Sequence, residues 1–119
     1  MNADIKKLWV AALTDGSYTQ GTKALRYGST FCCLGVLCDL HSKATGQTWH
    51  GDSRPEFNMT YDGNVAELSN RVRVWAGLDE PDPWVQSDGE RRTLASFNDG
   101  HKTRKHSFIE IAKLIEDQL

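Results

Sequence analysis

Residues 29–41, STFCCLGVLCDLH, form the most apolar run of the chain and decide how the rest of it folds. If this run is wound as a helix, its apolar side chains cover most of the circumference rather than one stripe. Only Asp39, Ser42 and Lys43 form a narrow polar strip, at positions i, i+3 and i+4. A helix that is apolar nearly all round lies inside a protein. The run therefore predicts a buried helix around which the other elements pack.

The ends of this helix carry residues that commonly begin and end helices. Ser29 and Thr30 have hydroxyls that can accept hydrogen bonds from first-turn amides, and Gly46 favours a left-handed stop. These signals predict a central helix over about residues 30–45. A buried strand over Phe31–Leu40 is the alternative, because a short apolar run alone does not distinguish the two.

Composition places the chain among ordinary globular domains. It has 119 residues, of which 25% are charged and 39% hydrophobic, with a net charge of -2. That length predicts a single domain, 1–119, and that charge argues against general polyanion binding. No charged-then-apolar leader follows Met1, and the apolar run is too short to span a bilayer. Three cysteines, two of them adjacent, predict reduced thiols in a cytoplasmic protein.

Four further helices are predicted from apolar spacing and end signals. Asn2–Thr14 has one apolar face, and the last helix starts with Ser107 and has Glu110 three residues later, which is the pattern of a capping box. Shorter helices are predicted over Leu68–Ala76, ended by Gly77, and over Glu90–Asn98, ended by Asp99-Gly100.

One small β-hairpin is predicted over about residues 56–67. Phe57, Met59 and Tyr61 alternate with polar residues and lead into Asp62-Gly63, a turn signal, with Asn64–Glu67 as the return strand. Together these elements predict a helix-dominated α+β domain, with about five helices around the buried central one.

The cysteines suggest one catalytic alternative. A thiol near a helix N-terminus feels a positive potential that lowers its pKa. Cys33 would then be a nucleophile, with His101 or His50 as its base and Asp99 orienting that base. The opposing interpretation is that buried cysteines act as small hydrophobic residues.

A metal site has less support in the sequence. Cys38 and His41 are three residues apart, so they share one face of the predicted helix. Structural zinc needs four ligands in paired motifs, and no second pair accompanies these two. No metal and no cofactor are therefore expected.

The strongest binding signal is a basic run over residues 101–106. Lys102, Arg104 and Lys105 lead into the predicted start of the last helix, where free amides and the helix dipole favour an anion. A phosphate group, carried by a nucleotide or by an RNA end, would be the natural partner. The alternative is a solvated loop whose charges only keep the protein soluble.

Two loop aromatics and two polar residues complete this predicted ligand site. Trp49 or Tyr18 would stack on a base, and Asn98 and Asp99 would make polar contacts. The alternative is that the aromatic side chains cover the core.

Several segments resemble small uncharacterised proteins of tailed bacteriophages and prophages. They are Leu8–Leu13, Gly16–Gln20, Phe31–Asp39 with its Cys-Cys-Leu-Gly-Val segment, Leu94–Asp99 and Ser107–Ala112. The resemblance covers both terminal thirds and is weak over 47–86. It implies a phage-encoded accessory protein that works in the host bacterial cytoplasm. Such proteins often counter host defences by binding a host protein or a signalling nucleotide, which is an analogy.

Three functions follow as hypotheses. The first is a binding protein that sequesters a phosphorylated small molecule or inhibits a host bacterial protein. The second is the small cysteine-dependent hydrolase or transferase built on Cys33. The third, a nucleic-acid binder, is disfavoured by the negative net charge and the absence of a basic reading helix. A homo-oligomer would suit the first hypothesis, whereas no feature indicates membrane binding.

Overall fold

The computed structural model describes all 119 residues, Met1–Leu119, and confirms a helix-dominated α+β fold. The five helices are α1 Ala3–Thr14, α2 Cys33–Thr45, α3 Asn70–Ala76, α4 Leu94–Asp99 and α5 Phe108–Gln118. The strands are β1 Thr19–Gln20, β2 Arg26–Tyr27, β3 Thr30–Phe31, β4 His50–Gly51, β5 Met59–Thr60, β6 Trp84–Ser87 and β7 Glu90–Thr93. No helix has the length and apolar character needed to cross a membrane.

The strands form three small sheets rather than one. In the largest, β3 lies between β1 and β2, parallel to the first and antiparallel to the second. The other two sheets are the antiparallel pairs β4–β5 and β6–β7. With so few strands, these sheets have to pack against the helices for their stability.

Helix α2 is the centre of the molecule, as predicted. It packs against α1, α3, α4 and β3. Seven of its thirteen residues are buried, namely Cys33, Leu34, Gly35, Val36, Leu37, Cys38 and His41. Its C-terminal cap is Gly46 in the left-handed conformation, also as predicted.

The start of α2 differs from the prediction. Thr30 lies in β3, and the helix begins three residues later, at Cys33. Its N-cap is Cys32, whose Sγ accepts a hydrogen bond from the Gly35 amide at 3.4 Å. Sheet pairing of Thr30 with Thr19 and Tyr27 has overridden the local capping preference, because those partners are not visible in the local sequence.

Gly35 is the closest point between α2 and the loop before β2. A Cβ added to Gly35 would lie 1.7 Å from the Leu25 carbonyl oxygen. The same carbonyl accepts a hydrogen bond from the Cys32 amide at 3.2 Å, which holds the loop in place. Glycine is therefore required in the Cys-Cys-Leu-Gly-Val segment by the approach of a backbone, not by helix conformation.

The predicted hairpin over 56–67 is present only as its turn. Tyr61 and Asn64 exchange both backbone hydrogen bonds across Asp62-Gly63, at 2.9 and 3.0 Å. The prediction of a return strand is wrong, because the Val65 carbonyl accepts from the Leu25 amide instead. Strand β5 consequently pairs with β4.

A second hairpin replaces the first half of the helix predicted over Glu90–Asn98. Asp88 and Gly89 have φ of 54° and 75°, as a two-residue type I′ turn requires, and β6 and β7 pair on either side. The helix starts only at Leu94, after Thr93 caps it.

Candidate functional site

The three cysteines are core residues. Their exposed fractions are 3% for Cys32 and 0% for Cys33 and Cys38. Burial raises the pKa of the Cys32 thiol to about 12 and that of the Cys33 thiol well above its ordinary value. Desolvation thus outweighs the effect of the helix N-terminus. The only hydrogen bond of the Cys33 thiol is to the Leu94 carbonyl oxygen, at 3.7 Å, and no base faces it, so the structure does not support it as a nucleophile.

The histidine and aspartate of that catalytic alternative do not meet Cys33 either. His101 is exposed, and its ring forms no hydrogen bond. Asp99 accepts hydrogen bonds from the Lys23 amide at 3.0 Å and from Asn98 Nδ2 at 2.9 Å. Asp99 therefore fastens the β1–β2 loop to the end of α4.

Asn98, predicted to contact a ligand, is fully buried and joins three elements. Its Oδ1 accepts from the Cys33 amide at 3.1 Å and from Gln20 Nε2 at 3.0 Å. Its Nδ2 donates to the Gly21 carbonyl as well as to Asp99. All four hydrogen bonds available to an amide side chain are formed, so Asn98 has none left for a ligand.

Tyr18 and Trp49 share one carboxylate rather than presenting free faces. The Tyr18 hydroxyl and Trp49 Nε1 donate to Asp39, at 2.6 and 3.0 Å. Both rings stand edge-on to Phe31, with centroids 5.1 and 6.0 Å away. Burial and the Asp39 carboxylate raise the pKa of Tyr18. This arrangement agrees with the alternative that these aromatics cover the core.

Arg104 is already paired with two carboxylates. It lies 3.1 Å from Asp88 and 2.8 Å from Glu110. Glu110 also completes the predicted capping box with Ser107. Hydrogen bonds from Arg104, and then from the Ser107 amide, lower the pKa of Glu110 to about 2. A carboxylate thus occupies the start of α5, where a phosphate had been expected.

The remaining cations of the basic run are joined by a lysine from the β1–β2 loop. We call Lys23, Lys102 and Lys105 the lysine patch. The Lys23 backbone is tied to Asp99, and the Gly100 Cα faces the Lys105 backbone. All three lysines are exposed, and none forms an ion pair. Lys23 could not be predicted from the sequence, because only the fold brings its loop to Asp99.

The predicted ligand residues therefore fall into two groups. No cavity of the structure is lined by both the basic loop and the aromatic residues Tyr18 and Trp49. Of the predicted phosphate-binding residues, Lys102 and Lys105 are free to bind and Arg104 is engaged. Lys102 and Lys105 are the part of the predicted site that the fold leaves open to a ligand, and Lys23 is added to them in the lysine patch.

Comparison with known proteins gives one match. A family described as "Domain of unknown function (DUF8296)" matches residues 1–119, the whole chain. No curated protein and no solved structure matches. The family description names no activity, ligand or partner, so the function has to be inferred from the residues themselves.

Proposed function

Because this chain belongs over its whole length to the DUF8296 family, we propose its function from its own surface: it binds and sequesters a phosphorylated small molecule through the lysine patch. The setting that we propose is the bacterial cytoplasm, with the protein as a phage-encoded accessory factor acting against a host signalling nucleotide. That setting rests on the resemblance of the Cys-Cys-Leu-Gly-Val and Ser-Phe segments to phage proteins.

The observation that carries the proposal is that two distant segments, held together through Asp99, carry three exposed lysines without an ion pair. Lys23 precedes Lys102 by almost eighty residues, and the Asp99 side chain holds the two segments together. Ammonium groups are compact, strongly hydrated charges that suit phosphate oxygens. No carboxylate lies within 4 Å of any of the three ammonium groups, which is also true of Lys6 and Lys7, whereas cations such as Lys43 and Lys113 are paired. The free cations of this patch are therefore available to a ligand.

The positive charge of the lysine patch lies on a chain whose net charge is negative, and this limits the kind of ligand that it can bind. A net charge of -2 repels a long polyanion from most of the surface, whereas a small phosphate compound contacts only the patch. The proposal therefore names a small molecule and not a nucleic acid.

The first experiment identifies what the purified protein carries. The protein is denatured, and the released small molecules are analysed by mass spectrometry beside a native mass of the intact protein. We expect a stoichiometric nucleotide or another phosphate compound. If none is found, titration with inorganic pyrophosphate and with ATP tests the patch directly. Failure of the purified protein to carry or bind any phosphate compound would contradict the proposal.

A triple variant tests whether the lysine patch is the binding site. Lys23→Gln, Lys102→Gln and Lys105→Gln together should weaken binding by more than about 100-fold, because three charge-assisted hydrogen bonds are lost. The melting temperature should stay nearly constant, since these side chains are exposed. The matched control, K6Q/K7Q/K113Q, removes the same charge from α1 and α5 and should bind normally. Equal weakening in both variants would indicate only a general charge effect and refute the site.

A further inference from the structure

Ser87 and His106 meet in the wall of a separate cavity of about 370 Å³. Ser87 is the last residue of β6, and His106 lies two residues before α5. The Ser87 Oγ is 2.8 Å from His106 Nε2. The cavity is also lined by two apolar residues, two cations and two carboxylates, namely Ile109, Leu114, Arg104, Lys113, Asp88 and Glu110. None of the lysine-patch residues lines it.

The hydrogen bonds of His106 determine which of its ring nitrogens carries the proton. Nδ1 lies 2.8 Å from the Arg104 carbonyl oxygen, which can only accept. Nδ1 is therefore protonated, and in the neutral ring Nε2 carries the lone pair. The Ser87 hydroxyl then donates to Nε2. A hydroxyl donating to an imidazole that a third group orients is the arrangement of a nucleophile with its general base.

The ring of His106 is held rigidly in this orientation. It is 1% exposed, and its centroid lies 4.6 Å from that of Phe97. Its backbone amide donates to the Phe97 carbonyl at 2.8 Å, and its carbonyl accepts from Gln20 Nε2 at 2.9 Å. Ser87 is only partly buried, so its hydroxyl can be reached from the cavity, whereas the His106 ring behind it is enclosed by these contacts.

Two charges stand beside the pair. Arg104 Nη2 lies 3.4 Å and Asp88 Oδ2 3.6 Å from His106 Nε2. During attack by Ser87, negative charge develops on a carbonyl oxygen and positive charge on the imidazole. Asp88 is placed to stabilise the positive charge on the imidazole, whereas the Arg104 guanidinium is engaged by Asp88 and Glu110.

We propose that Ser87 is an acyl-accepting nucleophile, with His106 as its general base, in hydrolysis of short carboxylic esters. Ser87 Oγ bonds to the ester carbonyl carbon as its proton passes to Nε2. The ester C–O bond then breaks, and the alcohol leaves with that proton. Water attacks the acyl-serine carbon and gives a proton to Nε2, the Oγ–C bond breaks, and the carboxylic acid is released as Ser87 regains its proton.

The class of substrate follows from the carbonyl group that orients His106 and from the side chains that line the cavity. Arg104 orients His106 through a neutral carbonyl, which stabilises an imidazolium less than the buried aspartate of a catalytic triad does. That weaker support suits esters, whose alkoxide leaves more readily than an amine. Ile109 and Leu114 provide an apolar wall for a short acyl chain.

The test uses a fluorophosphonate probe on the full chain. Attack by Ser87 forms an Oγ–P bond and releases fluoride, and peptide mapping by mass spectrometry locates the adduct. We expect one adduct, at Ser87, in the folded protein and none in 8 M urea. Ser87→Ala should abolish the adduct. His106→Asn, which keeps a donor for the Arg104 carbonyl, should slow labelling by about 100-fold or more.

Ser42 provides the matched control. Its hydroxyl donates to the Gln47 carbonyl at 2.6 Å and has no base, so Ser42→Ala should label like the unaltered protein. No adduct at Ser87, or an equal adduct in urea, would overturn the assignment whether or not His106→Asn folds. An adduct without turnover of p-nitrophenyl butyrate would overturn the ester class. The lysine-patch triple variant should label normally, so failure of one proposal leaves the other standing.

Discussion

Gly35 shows how a single residue is fixed by a contact from outside its helix. An alanine in an ordinary helix interior is more stable than a glycine by about 1 kcal/mol. At this position its Cβ would meet the Leu25 carbonyl at 1.7 Å. We therefore expect Gly35→Ala to lower the free energy of unfolding by about 3 kcal/mol or more, measured by urea denaturation.

The control for this variant is Gly51→Ala in β4. No atom lies within 4 Å of the position that its Cβ would take, and its φ is not positive. Its effect should stay within about 0.5 kcal/mol. Similar unfolding free energies for the two variants would show that the loop can withdraw from α2.

Asn98 gives a second prediction. If its role is structural, its replacement lowers the free energy of unfolding, whereas a ligand-binding role would leave that free energy unchanged. Asn98→Ala leaves the Cys33 amide without an acceptor inside the protein and the Gly21 carbonyl without the Asn98 donor, whereas Gln20 Nε2 keeps the His106 carbonyl. We expect a loss of about 3 kcal/mol in the free energy of unfolding. Asn70→Ala, whose side chain bonds only the exposed Arg73, should cost little. An unchanged melting temperature for Asn98→Ala would contradict the structural role.

Sequence reasoning could not assign these roles, because each depends on partners far along the chain. Asn98 bonds a residue 65 positions earlier, and Ser87 meets a histidine 19 positions later. Neither pair forms a local pattern. Lys102 and Lys105 could be predicted because they lie within one short basic run, whereas Lys23 joins them only through the contact of its loop with Asp99.

Among the elements, the start of α5 offers a prediction about pH. Glu110 has its pKa lowered to about 2 by Arg104 and the Ser107 amide. A carboxyl group whose pKa is lower in the folded state than in the unfolded state stabilises the folded protein. This stabilisation is fully present above the unfolded pKa of 4.5 and is lost as the pH falls towards the folded pKa of about 2. Glu110→Gln retains a capping side chain but removes the ion pair.

The unfolding free energies of the parent and Glu110→Gln should therefore differ at pH 7 and converge by pH 2. The difference at pH 7 should not exceed about 1 kcal/mol, because Glu110 and Arg104 are both about half exposed and screened. Glu116→Gln, on the solvent side of the same helix and without an ion pair, should show no such convergence. A difference independent of pH would contradict the assignment.

Turn chemistry was predicted at one hairpin and missed at the other, although both carry Asp-Gly. Asp62-Gly63 follows alternating apolar residues, so the sequence predicts a turn there. The predicted return strand does not form, because the Val65 carbonyl accepts a hydrogen bond from the Leu25 amide. Asp88-Gly89 lies between polar residues at the edge of the molecule, and the apolar Leu94 and Phe97 suggested a helix there. Strands with few inward apolar side chains give little periodic signal, and so β6 and β7 were not predicted.

Across the whole molecule, the long apolar elements were the predictable part. Helices α1 and α5 follow from apolar spacing, because burial of one face against the core imposes that spacing, and α2 follows from being apolar nearly all round. The small sheets could not be predicted in this way, since a strand of two residues is defined by the strand with which it pairs. The same core that made the fold predictable enclosed the cysteines that the sequence suggested as reactive.

The thiols provide a prediction about the intact fold. With all three buried and their pKa values raised, alkylation by a maleimide should require unfolding. We expect very slow labelling in buffer and complete labelling of three thiols in 8 M urea, followed by intact mass. One cysteine that labelled in buffer as fast as a free thiol would restore the cysteine-enzyme hypothesis.

The contacts of α2 with α1, α3, α4 and β3 also bear on how the protein opens. No one of these neighbours can separate from the core without exposing part of the same helix. Amide hydrogens of 34–38 should therefore exchange with solvent deuterium only when the entire chain unfolds. We therefore expect the core to unfold as a single cooperative unit. A protease would then cut core residues only in the fully unfolded chain.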